Sequence, residues 1–327
     1  EMRLDAFINY ALFSKNGYYQ NKKPIGKDND FITSPEISQM FGEILGLYLY
    51  YIWKTKINKR INLIELGPGN GTLFKDITNA ISDNSYFFKK AKITFIEINK
   101  KLINIKKENL KTSKYNILWK NKINFKSKIP SIIYSNEFFD CFPVRQFILD
   151  KTWFERYVKY NKHKKNFSFI NKPVKSKKLI SFLEFYKKEG ILEISFERNN
   201  YFEKICKLVR SRGGIFITID YGYLKNIQNF TLQSVYNHKF SHILENIGQQ
   251  DISSHVNFSD LINIAKKNKL KIEECLTQRE FLIKYGIIER SNFLSNNNNL
   301  NMNNELERLI GKNKMGNLFR CLVVSKL

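Results

Sequence analysis

Cysteine is scarce in this sequence, with four residues among 327, and so is proline, with six. Cys141, Cys206, Cys275 and Cys321 lie far apart and form no Cys-x-x-Cys pair, which argues against a disulfide framework or a zinc cluster and favours a reducing compartment. No apolar run reaches the ~18 residues that a membrane-spanning helix needs. No secretory signal is visible either, although the chain begins at Glu1. We therefore expect a globular protein without a membrane span.

Acidic residues are few compared with basic ones, since 30 Asp and Glu stand against 55 Lys and Arg and give a formal net charge of +25. A basic stripe on a folded surface would indicate nucleic-acid binding. The basic residues are instead mostly lysines spread along the chain among many asparagines, a composition typical of A/T-rich coding sequence. We therefore do not expect nucleic acid as a partner. The 27 Phe and 17 Tyr provide enough apolar area for a substantial core.

Short apolar segments alternate with longer amphipathic ones, which predicts an α/β fold with a parallel sheet and right-handed crossovers. The predicted strands lie at residues 61–66, 92–97, 116–119, 131–136, 214–220, 271–276 and 318–325. The predicted helices lie at 34–53, from 72 onward, and at 100–110, 201–211 and 258–268. In the first of them, Ser34 would be the N-cap and Pro35 the first helical residue.

Changes in this pattern divide the chain into four predicted segments. Residues 1–58 would form an N-terminal helical cap or lid, and residues 59–143 the first part of the core. Between 144 and 198 the alternation gives way to Lys-rich, aromatic stretches, which predicts an inserted β-rich lobe. Residues 199–327 would complete the core. Within them, the Asn-rich stretch 291–304 is predicted to be a mobile loop.

A glycine-rich loop follows the first predicted strand, where Gly67, Gly69 and Gly71 alternate with other residues. A sharp turn pressed against a ligand needs residues without a Cβ, and the strand–loop–helix context points backbone N–H groups at that ligand. Such a string occurs in dinucleotide sites and in S-adenosylmethionine sites. Glu65 suits a methionine ammonium rather than a pyrophosphate, and Glu97, at the end of the second strand, suits ribose hydroxyls. The alternatives are a simple tight turn and, for Glu97, a surface salt bridge.

Several short motifs, in order over nearly the whole chain, resemble the MidA family. The most specific is Ser-Pro-Glu-Ile-Ser-Gln-Met-Phe-Gly-Glu at residues 34–43. The others lie at 17–19, 26–33, 65–71, 135–140, 219–223, 231–233, 255–258, 277–282 and 315–319. The sequence departs from the family at Asn70, where arginine is frequent, and at Cys141, where a small residue such as alanine is expected. Neither change removes a group that the cofactor site needs.

MidA proteins are class I S-adenosyl-L-methionine (SAM)-dependent methyltransferases of bacteria and mitochondria. The resemblance implies a Rossmann-like sheet, mostly parallel with an antiparallel last strand, together with the N-terminal helical cap and the inserted β-rich substrate lobe. It implies a protein arginine N-methyltransferase that converts SAM to S-adenosyl-L-homocysteine (SAH) and symmetrically dimethylates an arginine of a quinone-side subunit of respiratory complex I. The compartment would be the bacterial cytoplasm, or alternatively the mitochondrial matrix if a presequence was removed.

Two further functions stay open on the sequence. One is a non-catalytic complex I assembly chaperone that retains the fold, because fold does not establish activity. The other is an RNA or small-molecule methyltransferase, favoured only by the net charge and the Lys-rich lobe. The sequence does not decide the oligomeric state.

An arginine methyltransferase needs carboxylates, because a guanidinium with a pKa of about 12.5 or higher is a poor nucleophile until its charge is aligned and localised. The residues from Asn136 to Asp140 follow the fourth strand, at the carboxyl edge of the sheet. We predict Glu137 and Asp140 as the catalytic residues that hold the guanidinium, with Phe138 and Phe139 excluding water. The alternatives are that Asp140 caps a helix and that both phenylalanines belong to the core.

The remaining predicted site residues fall into two groups. The cofactor group comprises Glu65, Gly67, Pro68, Gly69, Gly71 and Glu97, with Ser34, Pro35 and Glu36 from a helix folded over the site. The substrate group comprises Asn136, Phe138, Phe139, Asp220, Tyr221, Tyr223, Gln39 and Glu43. For the segment 34–43 the alternative is a helix that only packs against the core. For residues 220–223 the alternative is a turn closed by Gly222. We predict no metal site, because His238 and His242 could share a helical face but have no third ligand, and His255 has a structural role.

Overall fold

The computed structural model describes residues 1–21, 32–81, 85–99, 103, 115–123, 128–186, 190–224, 230–295 and 302–327. The predicted helix at 100–110, apart from residue 103, and the first residues of the motif at 26–33 lie outside these ranges. Within them, no helix combines the length and apolar character needed to cross a bilayer.

The strands of the described ranges form three sheets, the largest of which contains the predicted core strands. In chain order the strands are β1 (Met2–Arg3), β2 (Ile61–Leu66), β3 (Ala91–Ile96), β4 (Ile117–Lys120), β5 (Ser131–Asn136), β6 (Arg145–Asp150), β7 (Thr152–Asn161), β8 (Asn166–Pro173), β9 (Ile191–Ile194), β10 (Gly214–Tyr223), β11 (Gln233–Tyr236), β12 (Lys239–Ser241), β13 (Asp251–Ser253), β14 (Val256–Asn257), β15 (Lys271–Thr277) and β16 (Phe319–Lys326). The central sheet has the order β15-β16-β10-β5-β2-β3-β4, with β14 beside β10.

The helices of the described residues pack around the three sheets and connect their strands. In chain order they are α1 (Leu4–Phe13), α2 (Tyr18–Asn21), α3 (Ser34–Ile37), α4 (Gln39–Ile52), α5 (Thr72–Ala80), α6 (Ser85–Lys90), α7 (Lys177–Glu184), α8 (Phe196–Arg212), α9 (Phe258–Lys267), α10 (Gln278–Lys284), α11 (Ile287–Ser295), α12 (Met302–Ile310) and α13 (Met315–Leu318). A π-helical turn, Trp53–Ile57, extends α4.

The central sheet confirms the predicted fold class. Strands β10, β5, β2, β3 and β4 are parallel to one another, whereas β16 is antiparallel to both β10 and β15. All six residues of β2 are buried, as expected for a parallel strand covered on both faces. One face packs against α4, α5 and the C-terminal helices, and the other packs against α8 and α9.

The β-rich lobe follows the first part of the core. Its sheet has the order β1-β7-β6-β9, with β8 paired to β7. The sheet therefore contains the N-terminal strand β1 in addition to the strands of the predicted insertion. The sequence pattern did not predict the separate three-stranded sheet β12-β11-β13. Helix α1 packs in one hydrophobic cluster with residues of both small sheets. The segment boundaries predicted from the sequence therefore stay a prediction.

The structure corrects the predictions for residues 34–53 and 291–304. The single helix expected over 34–53 is broken at Ser38, whose extended backbone separates α3 from α4 and whose hydroxyl accepts a hydrogen bond from the Met40 N–H at 3.4 Å. The N-cap of α3 is Thr33 rather than Ser34. The Asn-rich stretch 291–304 is helical at both described ends, in α11 and α12, so the loop prediction is wrong there.

Candidate functional site

A pocket opens where β2, β3 and β5 end at the carboxyl edge of the central sheet, the edge at which open α/β sheets bind ligands. The predicted site residues that line it are Pro35, Glu36, Glu65, Gly67, Pro68, Gly69, Glu97, Asn136, Glu137, Phe138 and Asp140. The other lining residues are Phe13, Tyr19, Thr33, Asn70, Thr72, Leu73, Ile98, Asn99, Cys141 and Asp251.

The glycine loop forms one wall of the pocket and has the left-handed backbone that favours glycine. The φ angles of Gly67, Gly69 and Gly71 are 61°, 52° and 84°. The Gly71 N–H donates to the Pro68 carbonyl at 2.7 Å, which closes the turn just before α5 begins. A Cβ on Gly67 would lie 2.9 Å from Cδ2 of Phe138, so glycine also leaves room for that ring.

Three carboxylates surround the glycine loop. Glu65 is buried at the end of β2 and accepts a hydrogen bond from the Tyr134 hydroxyl at 3.0 Å. Glu97 follows β3 and accepts from the Asn99 N–H at 3.0 Å. Glu36 reaches the loop from α3, where its Oε1 accepts from the Thr72 hydroxyl at 2.6 Å. The Ser-Pro-Glu motif therefore lies against the glycine loop, as the lid prediction requires of this part of the segment.

Glu137 occupies the turn after β5 in a strained conformation, with φ of 49°. Its Oε1 accepts hydrogen bonds from the Ser34 N–H at 3.1 Å and from Nδ2 of Asn136 at 2.9 Å. Burial raises the pKa of Glu137 to about 8, and the nearby charge of Asp140 acts in the same direction. The carboxyl group is therefore mostly neutral at pH 7 in the free pocket.

Asp140 is the second carboxyl group of this turn. Burial raises its pKa to about 6, while the Cys141 N–H and the Arg198 guanidinium stabilise the charged form. Arg198 is itself 3% exposed and donates to the Phe139 carbonyl at 3.4 Å. Two buried carboxyl groups with raised pKa values thus share one turn, an arrangement more typical of functional sites than of surface ion pairs.

The pocket is acidic, although the chain as a whole is strongly basic. Six carboxyl groups line it, and no lysine, arginine or histidine is among the described lining residues. The six are Glu36, Glu65, Glu97, Glu137, Asp140 and Asp251. Such a pocket favours cationic ligands, because like charges in a partly desolvated space repel unless a cation enters.

Several predicted substrate residues have structural contacts instead. Phe139 is fully buried in the hydrophobic cluster on the α8 and α9 face, which is the core alternative considered for it. Oδ2 of Asp220 accepts hydrogen bonds from the N–H groups of Phe138 and Phe139 at 3.0 and 2.7 Å, so it fixes the turn that carries Glu137. Tyr221 packs edge-on against His255, with ring centroids 4.4 Å apart.

Other predicted residues also lie outside the pocket lining. Tyr223 belongs to β10, which continues past Asp220, so no turn closes there. Glu43 forms a two-hydrogen-bond ion pair with Arg290, both at 2.7 Å, and Gln39 donates to Glu43 at 3.2 Å. Gln39 and Glu43, which were predicted to bind the substrate, therefore lie away from the pocket, because α4 restarts after Ser38 and turns this face towards α11.

Two cofactor candidates support the pocket from behind its wall. Ser34 is buried. Its N–H donates a hydrogen bond to Oε1 of Glu137, and its hydroxyl donates to Oε1 of Gln278 at 3.2 Å. Gly71 sits at the N-cap position of α5, where its positive φ lets the glycine loop pass into the helix.

The polar lining residues that were not predicted from the sequence include Asp251, Tyr19 and Asn99. Asp251 begins β13, in a part of the chain to which no role was assigned. Tyr19 belongs to the Gly-Tyr-Tyr motif, which was noticed only as a resemblance, and its hydroxyl donates to Asp251 Oδ1 at 3.0 Å. Asn99 follows Glu97 and donates through Nδ2 to the Tyr19 carbonyl. No local pattern signals Asp251 or Asn99.

The described residues contain no group of three or more histidine, cysteine, aspartate or glutamate side chains arranged to hold a metal ion. His238 and His242 lie on either side of β12 and do not share a helical face, which corrects that part of the sequence interpretation. Nδ1 of His242 accepts a hydrogen bond from the Leu244 N–H at 3.3 Å.

A family model for S-adenosyl-L-methionine-dependent methyltransferases matches residues 44–276. The chain belongs to this family. It is similar to the mitochondrial protein arginine methyltransferase NDUFAF7 of Danio rerio, with 28% identity over 93% of this chain and 78% of the relative. It is also similar to the NDUFAF7 homolog of Caenorhabditis elegans, with 30% identity over 84% of this chain and 70% of the relative.

Solved structures support the fold. The crystal structure of a Burkholderia thailandensis protein bound to S-adenosyl-homocysteine has a TM-score of 0.87 and 21% identity, and it covers 99% of this chain and 88% of its own. The family membership confirms the predicted enzyme class and its cofactor, SAM, and the structural match confirms the methyltransferase fold. The roles of individual site residues stay predictions.

Proposed function

We propose that this protein methylates an arginine side chain of a protein substrate, with Glu137 and Asp140 holding the acceptor guanidinium. The observation that carries the proposal is the pair of carboxyl groups in one turn, beside the glycine loop of an acidic pocket. The NDUFAF7 relatives are named as protein arginine methyltransferases, which supports the same acceptor.

The residues around the glycine loop suit SAM. When bound, SAM supplies an electrophilic methyl group on a sulfonium, so the protein mainly has to place the acceptor and exclude water. Glu65 would bind the ammonium, Glu97 the ribose hydroxyls, and the backbone of Gly67 and Gly69 would approach the cofactor closely. Pro35, Glu36, Pro68 and Gly71 would complete this side of the site, with Ser34 supporting Glu137.

The acceptor side suits a guanidinium. An arginine side chain offers planar N–H donors, and paired carboxylates can orient it and localise its charge. Oδ1 of Asn136 is buried and has no hydrogen-bond partner among the described residues, so it offers a further acceptor for an N–H. The Phe138 ring lines the same space and would exclude water. Glu137 and Asp140 must both be ionised when the cation binds, so a proton leaves the free pocket at that step.

The substitution Glu137→Gln tests the proposal. Glutamine keeps an Oε1 that can accept from Ser34 and Asn136, so the turn should fold while the charge is lost. We expect methylarginine formation to fall at least about 100-fold, because removing a charged group from an acceptor site typically costs about 3 kcal/mol. The affinity for SAH should change less than about twofold, since Glu137 lies on the acceptor side.

The matched control is Glu65→Gln, which should weaken SAH binding instead. The assay uses methyl-labelled SAM with cell lysate, followed by hydrolysis and separation of methylarginines, labelled RNA and labelled small molecules. Label found in RNA or in small molecules would show that the methyl acceptor is not a protein arginine. Failure of the wild-type protein to bind SAH would favour a non-catalytic assembly role. Unchanged methylarginine formation in Glu137→Gln would remove Glu137 from the mechanism.

For partner and compartment we propose the finer assignments implied by the family resemblance. The substrate would be a quinone-side complex I subunit, and the labelled protein from the lysate experiment can be identified directly. The relatives are named as mitochondrial, which supports the matrix as the compartment in a eukaryote, with the bacterial cytoplasm as the counterpart. Fractionation followed by immunodetection would distinguish the two.

A further inference from the structure

A third carboxyl group lines the pocket near Glu137 from a separate part of the fold. Asp251 lines the pocket together with Glu137 and Asp140 and is 9% exposed. It begins β13 of the three-stranded sheet, whereas the other two belong to the turn after β5. The Ser254 N–H donates to the Asp140 carbonyl at 2.9 Å, so the end of β13 is tied directly to that turn.

Tyr19 holds the Asp251 carboxylate and connects it to the cofactor side. Its hydroxyl donates to Asp251 Oδ1 at 3.0 Å, and its ring stacks on Phe13 with centroids 5.4 Å apart. Burial raises the pKa of Tyr19 well above its usual value, so the hydroxyl stays a donor. The Tyr19 carbonyl accepts from Asn99, whose N–H donates to Glu97. One chain of contacts thus runs from Asp251 to the predicted ribose-binding carboxylate.

We propose that Asp251, oriented by the Tyr19 hydroxyl, contacts the acceptor guanidinium as a third carboxylate and makes the site specific for a cationic side chain. This inference rests on the proposed arginine methylation. Tyr19 acts through Asp251 and is a positioning residue.

The electrostatic setting argues against a purely structural role for Asp251. An asparagine at this position could accept the Tyr19 hydrogen bond without adding a negative charge beside Glu137 and Asp140. The charge of Asp251 also raises the pKa of Glu137 and of Cys141, so it makes the free pocket less favourable. Such clustering becomes favourable once a cation enters and the three carboxylates share it.

Binding of two matched peptides to the SAH-loaded protein tests the inference. The probes are acetyl-Gly-Arg-Gly-amide and the same peptide with citrulline, which has nearly the shape of arginine but no charge. We expect Asp251→Asn to weaken binding of the arginine peptide about 10- to 100-fold, the usual range for losing a charged hydrogen bond, and to leave the citrulline peptide unchanged. Tyr19→Phe keeps the aromatic ring and leaves the Asp251 carboxylate in place. It should therefore weaken binding of the arginine peptide by only about three- to tenfold.

The chain offers a matched control outside the pocket. Asp260 Oδ1 also accepts a hydrogen bond from a tyrosine hydroxyl, that of Tyr186 at 3.3 Å, but Asp260 does not line the pocket. Asp260→Asn should therefore leave both peptide affinities unchanged. Tyr19→Phe provides a second variant in case Asp251→Asn fails to fold.

The outcomes separate this inference from the proposed function. If the wild-type protein prefers the arginine peptide and Asp251→Asn keeps that preference, the role of Asp251 is refuted while arginine methylation stands. Equal losses of affinity for both peptides in Asp251→Asn would also refute the role of Asp251, since they would indicate that the substitution changed the shape of the pocket rather than its charge. If the wild-type protein shows no preference for arginine over citrulline, the proposed function fails and this inference fails with it.

Discussion

The raised pKa of Glu137 predicts that acceptor binding strengthens with pH in a range where an arginine side chain does not titrate. In the free pocket this carboxyl group has a pKa of about 8, because of burial and of the charges of Asp140 and Asp251. The Ser34 N–H and the Asn136 amide act in the opposite direction without cancelling that shift. A raised carboxyl pKa means that the neutral form dominates below pH 8 and the charged form above it.

The magnitude follows from the fraction of ionised Glu137. One pH unit below the pKa only about a tenth of the molecules carry the charge that the guanidinium needs. The dissociation constant of the arginine peptide should therefore be about tenfold larger at pH 7 than at pH 9, and binding at pH 7 should release nearly one proton. Tyr221, on β10, also interacts with Glu137, but it stays protonated over this range because burial raises its pKa further. Burial also raises the pKa of Asp220, whose Oδ2 accepts from the N–H groups of Phe138 and Phe139.

Titration calorimetry of the SAH-loaded protein can measure both quantities. The released protons are counted at pH 7 by comparing binding enthalpies in phosphate and Tris buffers, which differ in ionisation enthalpy. The citrulline peptide should release none, and Glu137→Gln should lack the change in affinity between pH 7 and pH 9. A pH-independent affinity for the arginine peptide, with no proton released at pH 7, would refute the assignment of Glu137 as the acceptor carboxylate.

Two further predictions concern the cofactor loop and the helix that was expected to be a lid. Gly67→Ala should abolish SAH binding, because its Cβ would collide with the Phe138 ring and force the glycine loop to shift. Gly286→Ala, at a φ of 96° and with Glu289 Oε2 in ordinary contact 3.7 Å from the added Cβ, should lower the melting temperature but keep SAH affinity. Equal SAH affinities in the two variants would contradict the close approach. Arg290→Met should destabilise the protein by about 1–3 kcal/mol in urea unfolding, since it leaves the Glu43 carboxylate buried without its cation. SAH affinity should not change in Arg290→Met, and a large loss would indicate that Glu43 does serve the site.

Much of the core could be predicted because its signals are local. The apolar segments at 61–66 and 131–136 form β2 and β5 with the predicted bounds, since buried parallel strands need continuous apolar runs. The acids and glycines that follow those strands had to meet at one edge, because the ends of parallel strands are neighbours. For the same reason Glu65, Glu97 and Glu137 all line the observed pocket.

The sequence by itself thus determined the fold class, the enzyme family and the presence of the glycine loop, Glu65 and Glu97 in the pocket lining, all of which depend on neighbours along the chain. Only the tertiary structure decided which distant partner each polar side chain meets. Tyr19 and Asp251 are 232 positions apart, and Glu43 meets Arg290 across 247 positions. Such pairings depend on how whole elements pack and on which of several competing partners lies closest, and no local periodicity encodes either.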